Sequence, residues 1–141
     1  MNDLERARAC AKQMMSGDNA SQMLGIEVDI PAASVAVATM TVRADMVNGF
    51  DVLHGGLLFT LADTAFAFAC NAYDNQSVAA AAQIEFLRPA LLDDVLTASA
   101  AEDYRGRRSG YYSIEVRNQR DELVALFRGR CASTGKSLLS Q

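Results

Sequence analysis

The sequence predicts an α+β fold in which one antiparallel sheet curls around one long central helix. The segment from Leu57 to Cys70 is apolar at almost every position, so a helix formed there needs burial on nearly all sides. The second half of the chain, from Ser77 onward, contains only strand-like segments separated by turn residues. A single helix can be buried in this way if the sheet formed by those strands curves around it.

The first half of the chain supplies an amphipathic helix, two strands and the loop that leads into the central helix. Apolar residues at helical spacing mark the first helix, and Gly17 ends it. Residues that alternate along the chain mark the two strands. The predicted elements are a helix over about 3–16, a short turn over 20–24, strands over 26–30 and 35–43, and a central helix over about 55–72.

The second half of the chain supplies four further strands, predicted over 77–87, 95–104, 109–118 and 123–132. Arg105–Arg108 is a turn that makes the second and third of these strands a hairpin. The run Ala79–Ala82 has small side chains that would let the helix lie close to the sheet. The polar segment over about 134–141 is expected to be a flexible tail.

Length and composition predict one globular domain over residues 1–141. Half of the 141 residues are hydrophobic and 21% are charged. The net charge of −4 argues against nucleic-acid binding, which needs a basic face. No signal-peptide pattern is present, and the apolar run is too short to span a membrane. Cys10, Cys70 and Cys131 lack metal-ligand spacing, so we expect reduced thiols in a cytoplasmic protein without a metal site.

The start of the central helix is the most informative segment for function. The only histidine, His54, precedes Gly55 and Gly56, and the helix carries one acid, Asp63, about two turns further on. A helix that begins at two glycines exposes its first backbone N–H groups to a ligand oxygen. A carboxylate among apolar neighbours costs free energy unless it is hydrogen-bonded, paired or used in chemistry.

These groups fit acyl-transfer chemistry. A backbone N–H at a helix start suits a carbonyl oxygen that gains negative charge during attack. Asp63 suits the general base for a water molecule, or the nucleophile itself. Eight residues of helix separate Gly55 from Asp63, roughly 12 Å at 1.5 Å per residue. If they form one active site, two antiparallel copies of the chain must share it, and a monomer should be inactive.

Each of these residues also has a purely structural interpretation. A histidine before a helix is often a cap or a packing residue, and two glycines can serve backbone geometry alone. Asp63 can form hydrogen bonds with Thr60, with Thr64 or with a partner chain. The combination of the histidine, the glycine pair and the buried acid favours a functional interpretation over any of these.

Four short motifs together resemble a known family. They are Asn48-Gly49, His54-Gly55-Gly56, Leu61-Ala62-Asp63-Thr64-Ala65 and Phe86-Leu87-Arg88-Pro89. The chain is similar to the hotdog-fold acyl-CoA thioesterases, above all to the PaaI type, the phenylacetic acid degradation thioesterases. The similarity covers nearly the whole chain, including Ala125–Gly129. It implies a curved antiparallel sheet wrapped around a long central helix, assembled as homodimers and usually as a homotetramer of two dimers.

The resemblance also implies an activity and a role for each motif residue. The activity is hydrolysis of an acyl-CoA to free acid and CoA, with no metal or bound cofactor, since coenzyme A is part of the substrate. Asp63 would be the base or nucleophile, and the Gly55 N–H would polarise the thioester carbonyl. Asn48 and His54 would line the pocket and position substrate or water. Further contacts with substrate or coenzyme A are expected from Gly56, Thr64, Arg88, Pro89, Arg107 and Arg108.

Some relatives place a hydroxyl residue early in the strand after the helix, where this chain has Ala79–Ala82, so Thr64 or a bound water would stand in. The arginines suit the CoA phosphates, although any one of them also fits a solvated turn or sheet face. The expected substrate is an aryl-acetyl CoA (phenylacetyl or hydroxyphenylacetyl), its ring against Phe50, Phe66 or Phe68 unless these are core residues. The alternatives are an acyl-thioester dehydratase or hydratase that uses His54, and a non-catalytic acyl-CoA-binding protein.

Overall fold

Six strands form one antiparallel sheet around the central helix in the computed structural model, which describes residues 1–140. In chain order the elements are α1 (Asp3–Gly17), α2 (Asn19–Met23), β1 (Glu27–Ala32), β2 (Val35–Thr41), a 3-10 turn (Ala44–Met46), α3 (Gly55–Cys70), β3 (Ser77–Phe86), β4 (Val95–Arg105), β5 (Ser109–Arg117) and β6 (Leu123–Ser133). The strand order across the sheet is β1-β2-β4-β5-β6-β3. The predicted α+β fold, with a curved sheet wrapped on one helix, is confirmed.

The central helix ends two residues earlier than the sequence predicts, because Asn71 turns the chain into β3. The Asn71 backbone N–H donates to the carbonyl of Ala67 at 3.1 Å and so closes the last turn of α3. Its side-chain amide donates to the Ser77 carbonyl at 3.0 Å and accepts the Ser77 N–H at 2.8 Å. This buried side chain thus satisfies backbone groups at the end of the helix and at the start of the next strand.

Small residues bring α3 close to the sheet, but they are not the ones that the sequence analysis chose. Ala36, Ala38, Ala98 and Ala100, on β2 and β4, are fully buried at 0% exposure. Gly129 on β6 lies under Phe66, where an added Cβ would stand 2.8 Å from a ring carbon. The run Ala79–Ala82 instead lies on β3, the exposed edge strand of the sheet.

The prediction that the central helix is buried on every side is wrong for the single chain. Gly56, Thr60, Asp63 and Ala67 recur at helical spacing and remain exposed or half-buried, so they form one uncovered stripe along α3. The sheet curls around the helix but stops short of closing over this stripe. Within residues 1–140 no helix has both the length and the apolar character that crossing a membrane requires.

The chain after β6 is held against the body of the protein along its described part, residues 134–140. The carboxylate of Asp74 accepts the hydroxyl of Ser137 at 2.7 Å and the N–H groups of Leu138 and Leu139 at 2.8 Å each. The polar composition predicts a flexible tail here. The structure differs because Asp74, an acid from the loop after α3, accepts hydrogen bonds from three consecutive residues of this segment. Gln141, the last residue of that predicted tail, lies outside the described residues.

Candidate active site

A tight loop between residues 47 and 53 delivers the chain to α3. The Asn48 N–H donates to the Val52 carbonyl at 2.8 Å, and the Asn48 Oδ1 accepts the N–H groups of Phe50 at 2.9 Å and Val52 at 3.4 Å. The carbonyl oxygen of Asn48 therefore stabilises its own loop. Its Nδ2 amide has no hydrogen-bond partner within residues 1–140, so it is left as a donor for a ligand.

His54 caps α3. Its backbone is extended, at φ −59° and ψ 129°, and its Nδ1 accepts the N–H of Gly56 at 2.9 Å. A ring nitrogen that accepts a hydrogen bond carries no proton, so the single ring proton is on Nε2. The structural interpretation of His54 as a cap is therefore realised. The Nε2–H remains as an outward donor, whereas Nδ1 is not available to take a proton from a substrate.

Gly55 is the first residue of α3, and its N–H has no partner within the described part of the chain. It opens into a cleft of about 270 Å³. The walls of this cleft come from the loop before α3 and from the segment that follows β3: Val52, Leu53, Leu58, Phe86, Leu87, Arg88, Pro89 and Ala90. The ring of Phe86 is so close that a Cβ on Gly55 would lie 3.4 Å from its Cζ. A free backbone donor thus faces an apolar cleft.

A second cleft of about 340 Å³ lies on the other side of the helix start. His54, Gly56 and Leu57 form one wall, and Asp45 to Val47 form the other. The first turn of α3 therefore stands between two clefts.

Asp63 is half-buried on the uncovered stripe of α3 and makes no hydrogen bond or ion pair with any residue in 1–140. Burial raises its pKa, because the charged form loses water without gaining a partner. The Thr60 hydroxyl donates to the Gly56 carbonyl at 2.9 Å, and the Thr64 hydroxyl donates to the Thr60 carbonyl at 2.7 Å. Neither threonine donates to the Asp63 carboxylate, so the predicted hydrogen bonds of Asp63 with Thr60 or Thr64 are not formed within one chain.

Of the other predicted contacts, the structure brings Arg88 and Pro89 to the cleft of Gly55 but not Thr64. Thr64 is buried at 7% exposure, with its hydroxyl proton used inside the helix. Arg88 lies at the rim of the cleft, where its Nη1 pairs with Glu122 at 3.0 Å. Both groups of this pair keep contact with solvent, so the pair itself is weak and the guanidinium remains available to an anion.

Arg107 and Arg108 lie at the other end of α3. They border a polar cleft of about 500 Å³ together with Asn75, Ser133, Thr134 and Gly135. Among residues 1–140 neither arginine has a carboxylate within 4 Å, so both are uncompensated cations. In a single chain they are therefore separated from the Gly55 cleft by the length of the helix.

Two of the three predicted aromatic contacts are core residues. Phe66 and Phe68 are 1% and 2% exposed, whereas Phe50 is 87% exposed at the tip of the loop before α3. The sequence analysis did not select Phe86 as a site residue, although its alternation with Glu85 places it on the inner face of β3. Among the described residues no group of three His, Cys, Asp or Glu side chains is placed to hold a metal ion.

Comparison with known proteins identifies the family. The thioesterase superfamily matches residues 50–125. The acyl-coenzyme A thioesterase PaaI of Escherichia coli (strain K12) is 44% identical over 131 residues, which are 93% of this chain and 94% of that protein. The structure of the E. coli PaaI protein from the phenylacetic acid degradation operon has a TM-score of 0.94 at 43% identity, covering 96% of this chain and 99% of that one.

A more distant structure is that of a hypothetical thioesterase protein with coenzyme A from Streptococcus pneumoniae TIGR4. It has a TM-score of 0.75 at 26% identity, over 79% of this chain and 90% of that one. The matched region of the family includes Gly55, Asp63 and Arg88, and the E. coli structure matches the whole sheet and the central helix. The chain belongs to the thioesterase superfamily, and within it to the hotdog-fold acyl-CoA thioesterases of the PaaI type.

Proposed function

We propose that this protein hydrolyses the thioester of an aryl-acetyl coenzyme A, phenylacetyl or hydroxyphenylacetyl CoA, to the free acid and CoA. The main support for this proposal is that two groups on α3, the N–H of Gly55 and the carboxylate of Asp63, have no hydrogen-bond partner among residues 1–140. The substrate class is supported by E. coli PaaI, which is named as an acyl-coenzyme A thioesterase and whose structure is described as that of a protein from the phenylacetic acid degradation operon.

In this proposal the thioester carbonyl oxygen accepts the Gly55 N–H, with the positive end of the helix dipole behind it. The carboxylate of Asp63 takes a proton from water as that water attacks the carbonyl carbon, or attacks the carbon itself. The C–S bond then breaks and CoA leaves as a thiolate, which needs no strong general acid because an ordinary thiol has a pKa of about 8.5. Where Asp63 attacks directly, water then cleaves the acyl–Asp63 anhydride, which releases the acid and regenerates the carboxylate. Asn48 Nδ2 and His54 Nε2–H orient the substrate or the water.

The two reacting groups are roughly 12 Å apart along one helix, so the proposal requires a second copy of the chain. The uncovered stripe of α3 and the edge strand β3 support this requirement. Val78, Phe86 and Leu87 are 52%, 56% and 52% exposed. An edge strand with exposed apolar side chains is an aggregation hazard unless another strand or chain covers it. An antiparallel second copy would cover both features and bring its own Asp63 to the first copy's Gly55.

The same antiparallel pairing suggests how the CoA phosphates are bound. It carries the far end of the second helix, with Arg107 and Arg108, past the start of the first helix. Arg88 already stands at the rim of that cleft. We therefore propose that the CoA phosphates bind to Arg88 of one copy and to Arg107 and Arg108 of the other. A tetramer made of two such dimers, acting in the cytoplasm, remains the assembly and location expected from the family resemblance and the three free thiols.

Thiol release from phenylacetyl-CoA and hydroxyphenylacetyl-CoA tests the proposal. We expect Asp63→Asn and Asp63→Ala to lose about 10²-fold or more in kcat, because the reaction loses its base or nucleophile, while substrate binding is largely kept. Near-normal rates in both variants would exclude Asp63 as the reacting carboxylate. Wild-type protein that binds the substrate without releasing thiol would instead indicate the non-catalytic acyl-CoA-binding protein.

The dehydratase alternative requires His54 to move a proton, and its Nδ1 is already bonded to the Gly56 N–H. We therefore expect His54→Ala to impair activity less than the Asp63 changes do. A single turnover in ¹⁸O-labelled water separates the two possible roles of Asp63. When water opens an acyl–Asp63 anhydride at the Asp63 carbon, that single turnover leaves the label in the enzyme carboxylate and an unlabelled oxygen in the product acid, whereas base catalysis places the label in the product acid.

A further inference from the structure

Two thiols meet at the far end of α3, and neither has a role in the proposed reaction. Phe66 lies over Gly129, and one helical turn later Cys70 lies over Cys131, two residues along the same face of β6. The match is geometric, since four helical residues and two strand residues both advance about 6 Å. The Cys70 and Cys131 side chains interact with each other and are 1% and 0% exposed.

A guanidinium group stands against this pair. Arg105 Nη1 donates to the Cys131 sulfur and to the Cys70 carbonyl, at 3.2 Å each, and Nη2 donates to the Ser77 hydroxyl at 3.3 Å. The same guanidinium stacks on the ring of Tyr73 at 5.0 Å. A half-buried cation is costly unless an anion lies close to it. Two of its three acceptors, the Cys70 carbonyl and the Ser77 hydroxyl, are neutral, so a deprotonated Cys131 is the acceptor that would supply the anion.

The nearest acid does not satisfy this requirement. Glu102 accepts the hydroxyl protons of Tyr73 at 2.7 Å and Tyr112 at 2.8 Å through the same carboxylate oxygen. It forms no ion pair with Arg105 within 4 Å. Interaction with the Cys70 side chain, followed by the charge of Arg105, holds the pKa of Cys131 below its ordinary value. Interaction with Cys131 and burial raise the pKa of Cys70, whose thiol donates to the Ala67 carbonyl at 3.5 Å.

We propose that Cys70 and Cys131 are a redox-modifiable pair in which Cys131 is the thiolate that reacts with a peroxide and Cys70 is the thiol that closes a disulfide. The Cys131 sulfur attacks one peroxide oxygen, the O–O bond breaks, and the leaving hydroxide takes up a proton to become water. The Cys70 sulfur then attacks the resulting sulfenic acid, the S–O bond breaks, and a second water leaves with the Cys70 proton. Hydrogen peroxide is reduced to two waters and the two thiols are oxidised.

Such a disulfide would clamp the last turn of the helix that carries Asp63 to the sheet. It would form only under oxidation, because the pair is reduced in the structure. Cys10 provides an internal control, since it is a free thiol, is also 1% exposed and lies on α1 without a guanidinium contact to its sulfur. Burial raises the pKa of Cys10, which therefore stays protonated. Cys10 therefore matches the pair in burial but lacks the contact with Arg105.

The test exposes the folded wild-type protein to hydrogen peroxide, blocks remaining thiols with an alkylating agent under denaturing conditions, and locates all three cysteines by peptide mass spectrometry. We expect a cross-linked pair of peptides containing Cys70 and Cys131, two hydrogens lighter, formed at least about tenfold faster than any change at Cys10. A thiol reductant should restore both. Cys10→Ser should leave the cross-link unaltered, and Cys70→Ser should leave Cys131 as a sulfenic acid that a dione probe traps.

Any other distribution overturns the proposal. Cys10 oxidised as fast as the pair would mean that peroxide reaches all buried thiols alike. A disulfide between two chains on a non-reducing gel would mean that the intramolecular geometry is wrong. All three cysteines alkylated after peroxide would mean that the thiols are inert. None of these outcomes bears on the thioesterase activity, which is measured separately by thiol release.

Discussion

Gly55 occupies the first helical position of α3, where proline is as well tolerated as glycine. His54, which precedes it, has the extended φ and ψ that a following proline requires. Gly55→Pro therefore removes the N–H and keeps the helix start. We expect kcat to fall about 10²–10³-fold, the usual loss for one oxyanion donor. Thiol release measures the fall, and circular dichroism checks that the fold is kept.

Gly55→Ala is the matched control for that change. It keeps the N–H and adds only a Cβ, which would stand 3.4 Å from the Phe86 ring, an ordinary contact. We expect it to retain most of the activity that Gly55→Pro loses. Equal losses in the two variants would mean that free space in the cleft, and not the N–H, is what the reaction needs at this residue.

Asp63 affects stability as well as chemistry, and the sign of its effect depends on pH. Burial raises its folded-state pKa above the unfolded value of about 3.9, so ionisation destabilises the folded protein at neutral pH. Asp63→Asn keeps the shape without the charge, and we expect its Tm to be a few degrees higher than wild type at pH 7. The difference should shrink as pH falls through the raised pKa and disappear below the unfolded value. Melting curves across this range measure it.

An Asp63→Asn variant that melts below wild type at neutral pH would contradict this prediction. It would mean that the Asp63 carboxylate gains a partner in the assembled protein that the single chain does not supply. Asp93→Asn, at an exposed turn, is a control for general effects of removing one negative charge.

The rotamer of His54 could not be predicted from the sequence. Local packing sets the rotamer that points Nδ1 at the Gly56 N–H, and the order of residues does not encode it.

The side chain of His54 caps the start of helix α3. His54 Nδ1 satisfies one of the N–H groups that a helix start leaves without a partner. We expect His54→Ala to lower the free energy of unfolding by about 1 kcal/mol, the usual cost of a lost cap, as measured by urea titration. His54→Asn supplies another side-chain acceptor and should recover most of that loss. Recovery of stability without recovery of activity would assign a separate role to the Nε2–H.

The strands could be predicted because their alternation of side chains, with a period of two residues, is a local pattern. The position of each strand in the sheet could not be predicted in this way. The alternation of Gln83, Ile84, Glu85 and Phe86 identifies β3 and its inner face. That β3 is an edge strand depends on its pairing with β6, whose partner residues lie 39 to 56 positions away in sequence, and no local signal encodes that pairing. This is why the alanine run was placed against the helix when it lies on an open edge.

The uncovered stripe of α3 was missed for a related reason. Gly56 and Ala67 are as small and apolar as the alanines of a buried helix face, so the hydropathy of the segment indicated burial on all sides. Only the acid and one hydroxyl, Asp63 and Thr60, mark the stripe as different. Read together, their spacing of three residues places them on one face, but a face of this kind is recognised only once the extent of the sheet is known.

At the scale of the whole molecule, the sequence predicts one long-range feature, a second copy of the chain, which is needed if Gly55 and Asp63 act on one substrate. It rests on the rigid rise of a helix, which separates Gly55 from Asp63 whatever the rest of the chain does. The structure adds the surface on which a second copy would lie, an open edge strand beside an uncovered helix stripe. The register between two copies was beyond sequence reasoning, because it depends on complementary side chains from both surfaces.

Mixed dimers test this shared site directly. In the proposed dimer, Gly55→Pro and Asp63→Asn would each disable both sites, but a dimer with one chain of each type would regain one intact site from its wild-type Gly55 and its wild-type Asp63. Random 1:1 mixing makes half of the dimers mixed, and each has one of two sites intact, so we expect about a quarter of wild-type activity. Coexpression with two different affinity tags isolates the mixed dimers, which should have about half. If both groups acted within one chain, every mixture would stay as inactive as its parents, because neither chain would then carry a complete site.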